Sequence, residues 1–224
     1  MKHLTENQIR RRAVVLSTAR EMLAKVGYEE LSMRDLAKKS GVALKTLYHY
    51  YENKEYLIST AVNQRWVDIH RGIQREEGVR GIQRLLFIIE TIASLTIKEK
   101  IYARATLSIN PSGGYMIGHP WNDIRDQTYR VALEEINEDK FLHSWVKVDL
   151  LTSIMVRTMG LATSHWAVGA IPDKALNDYM NFLALTMLQG MMVGKIESEI
   201  GALVKKSFIA LDKSGSKFGN KNKS

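Results

Sequence analysis

Apolar residues at Ile9, Ala13, Leu16, Ala19, Leu23 and Val26 recur in steps of three and four, the period of a helix with one buried stripe. Gly27 ends that stripe as a residue suited to a helix C-terminus. In "YEELSMRDLAKKSG" Ser32 is a good N-cap, and Asp35, three residues on, is placed to reach back as the acid of a capping box. Leu36 and Ala37 are core candidates of this second helix, and Gly41 closes it. A third, short helix is predicted over 44–51, where Leu47 and Tyr51 share an inward face and Lys45, Tyr48 and His49 share the outward one. Asn53 caps a fourth helix running from Lys54 to about Gly72, with Glu55 in its first turn.

Beyond this the period of three to four continues. "REEGVRG", residues 75–81, reads as a hinge or domain boundary because it holds two glycines and mixed charge. Helices are predicted at about 79–97 and 100–109, then a break at "NPSGGYMIGHP". Further helices follow at 121–138, 144–169, 173–193 and 196–211. Only three prolines interrupt the chain, so the fold class is all-α. The expected organisation is an N-terminal domain over 1–58, a larger helical body over 59–212 and a disordered basic tail over 213–224.

Charge sharpens that division. Residues 1–58 carry 11 Lys/Arg against 7 Asp/Glu, residues 59–204 carry 15 against 16, and residues 205–224 carry 6 against 1. A basic head on a neutral body suits a segment facing a polyanion and a body with a different task. There are no cysteines, which excludes disulfides and thiolate metal sites. The two most apolar stretches, 150–171 and 179–194, are broken by Arg157 and His165 or by Asn181 and Gln189. Neither reads as a membrane span, and no signal peptide is evident, so a cytoplasmic protein is expected.

The second and third helices have helix-turn-helix spacing. Ala37 permits close approach, Gly41 the tight turn, and Leu47 anchors the second helix on the first. A solvent face normally prefers Glu, Lys and Gln, so Tyr48 and His49 beside Lys45 call for a partner. Duplex DNA fits, because Lys and His can bond base edges or phosphate and a Tyr hydroxyl donates to phosphate. "LSMRDLAKKSGVALKTLYHYYENKEYL", with "AREMLAKVGYEE" upstream, resembles the N-terminal signature of the TetR family over roughly residues 12–58. The resemblance implies that Ser32, Tyr48 and Lys54 contact phosphate. It assigns base edges or flanking backbone to Arg34, Leu44, Lys45, Thr46 and His49. Two departures stand out: Tyr51 occupies a place the family usually fills with Phe, and Ala43 one usually held by Ser or Thr.

The segments 144–169 and 173–193 are apolar on more than one face, which a small monomer cannot bury, so they are expected to form a homodimer interface. The resemblance likewise implies a four-helix dimer interface, a palindromic operator and a small-molecule effector. Candidate effector contacts are Tyr115, His119, Trp121, Arg125 and Tyr129 near the break, then Tyr102, Arg104, His165 and Trp166. They suggest a hydrophobic or aromatic effector with an anionic group for Arg125. A repressor is expected, with no cofactor and no metal. The competing classes are an all-α enzyme and a DNA binder without effector. For the enzyme, His119 with Asp123 and Ser164 with His165 are the only suggestive pairs. Adjacent Ser and His on one helix point to different faces, and no HExxH, phosphate-binding loop or dinucleotide fingerprint is present.

Overall fold

The computed structural model describes residues 5–109 and 120–214, which form ten α-helices and one 3₁₀ turn. The four N-terminal helices are α1 (Glu6–Val26), α2 (Met33–Ser40), α3 (Leu44–Tyr50) and α4 (Lys54–Gln74). The body continues with α5 (Gly81–Lys98), α6 (Lys100–Ile109), α7 (Pro120–Glu138) and α8 (Val148–Ala167). After the 3₁₀ turn at Asp173–Ala175 come α9 (Leu176–Gln189) and α10 (Lys195–Lys213). The expected break at 110–119 and the tail from 215 onward lie outside the described residues.

Thr5 opens α1 with a complete capping box: its backbone N–H donates to Gln8 Oε1 at 2.8 Å and its hydroxyl accepts from the Gln8 N–H at 3.4 Å. The buried stripe of α1 differs from the one its spacing predicts. Val15, Leu16, Ala19, Met22 and Leu23 are buried, whereas Ile9 is 56% exposed and Ala13 and Val26 are also exposed. The helices that pack on α1, namely α4, α6 and α2, cover it between Val15 and Leu23 and leave both ends of its 21 residues, roughly 30 Å, open to solvent.

Two apolar cores result. The head core gathers Val15 through Val62 and takes in Ala105 from α6. The body core runs from Ile73 to Leu211 and draws on every helix from α4 to α10, with Ala103 from α6. Helix α4 passes unbroken through both, and Trp66 packs against each. The head core therefore extends beyond residue 58. The "REEGVRG" segment is the turn between α4 and α5, with Ile73 and Leu85 on either side in one core, so it separates no domains.

Helix α8 begins at Val148, later than position 144, because 141–143 is extended. His143 N–H donates to the Met191 carbonyl and Val193 N–H to that of Phe141, each at 3.0 Å, around a Leu142–Met192 antiparallel bridge. The same pairing ends α9 at Gln189 instead of carrying it to 193. Helix α9 is packed by α5, α8 and α10 of its own chain. Its Leu176, Tyr179, Met180, Ala184, Leu185 and Leu188 are buried, so most of its apolar surface needs no second copy. The apolar face left open lies on α8, where Leu150 is 59% and Leu161 52% exposed alongside Ile154, with Val168 exposed just past its end. On α10, Phe208 and Ile209 are also exposed. Among the described residues no helix is long and apolar enough to cross a membrane.

Candidate nucleic-acid interface and ligand cavity

The turn between α2 and α3 is built from its backbone. Gly41 lies in the left-handed region (φ 68°, ψ 25°), its N–H donating to the Ala37 carbonyl, and Val42 N–H donates to the same oxygen at 3.1 Å. Leu36 and Leu47 are fully buried across the turn. Ser32 caps α2 by accepting from Asp35 N–H at 3.1 Å. The Asp35 carboxylate, however, accepts from the Ser32 hydroxyl at 2.7 Å, so the acid closes on the cap's side chain and not on its backbone N–H. Ser32's one hydroxyl proton is thus committed to Asp35 in this structure.

Helix α3 starts at Ala43 with no side-chain cap, the consequence of the departure noted in its sequence. Lys45, Tyr48 and His49 are exposed together, Tyr48 at 48%, while Leu44 and Thr46 are half-buried and Leu44 packs on the head core. Arg34 is exposed on α2. Tyr51 is 3% exposed, and burial pushes its phenol up to about 12 despite the opposing charge of Arg12. That Arg12 also lies 4.8 Å from the Tyr50 ring centroid, a cation–π contact across 38 positions that spacing does not reveal.

Lys54 has a further role that the sequence does not suggest. Its ammonium donates to the Tyr28 carbonyl at 2.7 Å and the Glu29 carbonyl at 3.5 Å, and it sits 4.2 Å from the Tyr28 ring centroid. It ties α4 to the turn between α1 and α2, and one of its three protons stays available for a phosphate.

A cavity of about 110 Å³ opens between the two cores, several times the ~10–15 Å³ one water needs. Its walls come from α4 (Val62, Arg65, Trp66, Ile69), the α5–α6 region, α7, α8 and α9. Of the sequence candidates, Tyr102, Arg125 and Tyr129 line it. Arg125 is 7% exposed and stands 5.2 Å from the Trp66 ring centroid. Burial raises the phenol pKa of both Tyr102 and Tyr129. Arg65 and Glu99 pair at 2.6 Å in the wall.

Three other candidates are placed elsewhere. Arg104 stacks at 5.3 Å on Trp166, whose Nε1–H donates to Asp173 at 2.8 Å, while Lys100 pairs with the same carboxylate. His165 Nδ1 lies 2.8 Å from the Tyr179 hydroxyl. Arg104 and Trp166 tie α6 and α8 to the 3₁₀ turn, His165 ties α8 to α9, and none of the three lines the cavity. Tyr115 and His119 lie outside the described residues, as does the side chain of Trp121. The α4 wall went unread because Arg65, Trp66 and Ile69 look like any amphipathic helix. The one usable signal was a tryptophan among charged and polar neighbours.

Residues 15–61 match the family model described as bacterial regulatory proteins, tetR family. The chain is 34% identical over 86 residues to the HTH-type transcriptional regulator UidR of Escherichia coli K12, covering 38% of this chain and 42% of that protein. It spans less than half the length of the curated relatives it matches. Among solved structures it is similar to the repressor FadR of Thermus thermophilus in complex with lauroyl-CoA. The identity is 18% over 82% of this chain and 96% of that one, with a TM-score of 0.67. It is also similar to RolR in complex with resorcinol, at 12% identity over 90% and 96% and a TM-score of 0.68. At these identities the two structures speak for the fold.

Proposed function

We propose that this chain, which belongs to the tetR family of bacterial regulatory proteins through residues 15–61, is a sequence-specific DNA-binding regulator. It acts as a repressor that a small hydrophobic or aromatic effector releases from a palindromic operator. The observation that carries the reading is the outward face of α3, where Lys45, Tyr48 and His49 stand exposed together beside a turn held by Gly41. Lys45 and His49 reach base edges, with Thr46 and Leu44 flanking them. Arg34, Tyr48 and Lys54 take phosphate or neighbouring backbone, and Ser32 does so once its hydroxyl turns from Asp35 to the phosphate.

One short recognition helix makes few contacts, so a two-fold pair is needed to read two half-sites. The exposed apolar residues of α8 support a homodimer through that helix, and Phe208 and Ile209 of α10 offer further apolar surface, while most of the apolar side of α9 is packed within its own chain. The cavity supports an effector, and the solved relatives hold lauroyl-CoA and resorcinol, each with a substantial apolar part. An enzyme is the poorer reading. Ser164 donates to its own helix at the Gly160 carbonyl (3.1 Å) while His165 faces Tyr179, so the adjacent pair is not joined in space.

Selection of bound fragments from random duplexes, followed by gel shift, tests the proposal. A palindrome should emerge, with affinity falling about a thousandfold between about 50 and about 200 mM salt as phosphate contacts release counterions. A non-palindromic selection, or affinity indifferent to salt, would sink it.

A further inference from the structure

The cavity wall holds a polar group that the fold itself does not use, and a second such group lies behind it on α1. The Tyr102 hydroxyl is buried without a hydrogen-bond partner, although its ring packs against the head core and lines the cavity. On α1, which packs along α6, Arg20 Nη1 is likewise buried with no partner. Both are donors, and a buried donor left unsatisfied is costly unless something fills it. Charge points the same way: among the described lining residues Arg65 and Arg125 face one carboxylate, Glu99. Arg20 stands near enough to act on Tyr102, its charge and that of Arg65 opposing the upward push of burial on the phenol. Beyond these groups the wall sets Trp66, Tyr129, Met159 and Met180 among aliphatic side chains such as Ile69, Ile92 and Leu95. The aromatic rings and thioethers supply faces on which a flat ring can stack.

We infer that the cavity takes a planar aromatic carboxylate, with its carboxylate at Tyr102 and Arg65 and its ring among Trp66, Tyr129, Met159 and Met180. Tyr102 donates its hydroxyl proton to one carboxylate oxygen. Arg65 shares its guanidinium between that carboxylate and Glu99, and Arg20 adds positive charge from behind. The ligand thereby joins α4 and α6 at the place where α1 of the head rests on α6. The inference rests on the regulator reading for its meaning, but binding to the cavity can be measured without DNA.

Titration of the full chain with 1-naphthoate, its neutral analogue 1-naphthalenemethanol and dodecanoate, followed by calorimetry, tests it. Naphthoate should bind at least about tenfold more tightly than the alcohol, the difference a charge-assisted hydrogen bond makes. It should also outbind dodecanoate. Tyr102→Phe should weaken naphthoate about tenfold and leave the alcohol nearly unchanged. Glu99→Gln removes the opposing carboxylate and should tighten naphthoate, so a result remains readable if Tyr102→Phe fails to fold. Equal binding of acid and alcohol, preference for dodecanoate, or binding of none of the three would overturn the assignment. A chain that binds naphthoate but no DNA would sink the regulator reading alone.

Discussion

His70 on α4 bonds through Nδ1 to Thr128 Oγ1 on α7 at 3.1 Å. Thr128 gives its only hydroxyl proton to the Ile124 carbonyl at 2.7 Å, so His70 must be the donor and its Nδ1 carries the proton. Burial lowers the His70 pKa, because the charged imidazolium loses water it cannot replace. The unfolded chain therefore binds a proton on His70 more readily than the folded one. Stability should be full above the unfolded value of about 6.5 and fall as pH drops below it. Urea midpoints measured between pH 7.5 and 5.5 should show this decline, and His70→Asn should make it shallower. Legibility at this scale follows sequence distance. The Ser32 cap was readable because its partner lies three residues away. The hold of Lys54 on Tyr28 and of Arg12 on Tyr50 depends on how α1 meets α3 and α4, which local spacing does not encode.

The helical period was legible along nearly the whole chain, whereas helix ends and covered faces were not. Tertiary pairing decided them, as at 141–143 against 191–193, or the reach of neighbours, as at the overhanging start of α1. Helix α5 has no cap of its own, since Arg80 offers no side-chain bond to it. Glu135 of α7 supplies one, accepting from Gly81 N–H at 2.8 Å and from Arg84 Nε at 2.9 Å, with both charged side chains largely buried. Removing that carboxylate strands Arg84 and the first turn of α5 together. Glu135→Ala should cost about 3 kcal/mol in chemical denaturation, the scale for breaking a buried pair. Cost near zero would mean water replaces the carboxylate freely. The open face of α8 carries the other test at this scale. Leu161→Glu should convert a dimer to monomer in sedimentation equilibrium while leaving the helical circular dichroism unchanged.

For the molecule as a whole, the basic head and neutral body suggested two tasks, and the structure holds Gly41 in the turn and Leu47 in the head core while leaving Lys45, Tyr48 and His49 exposed. The cavity was half-legible. Tyr102, Arg125 and Tyr129 were found from residue type, while Arg104, His165 and Trp166 were drawn off into contacts with Asp173 and Tyr179. The change in charge near residue 58 is not matched by a gap in packing, for α4 runs through both cores and Trp66 touches each. The two cores should therefore melt together. Circular dichroism and tryptophan emission should give coincident thermal midpoints, and two separated transitions would show that the shared helix does not couple them.

Ala105 carries that sharing into questions of ancestry and engineering. It belongs to the body by position on α6, yet it completes the interior of the head. A graft of residues 1–74 onto a foreign body would arrive with a socket that its new host must fill with a small side chain. Recombination that mixes heads and bodies is thus constrained by a patch far along the chain from α2 and α3. Successful chimeras of this protein should be those whose recipient offers an alanine-sized residue there.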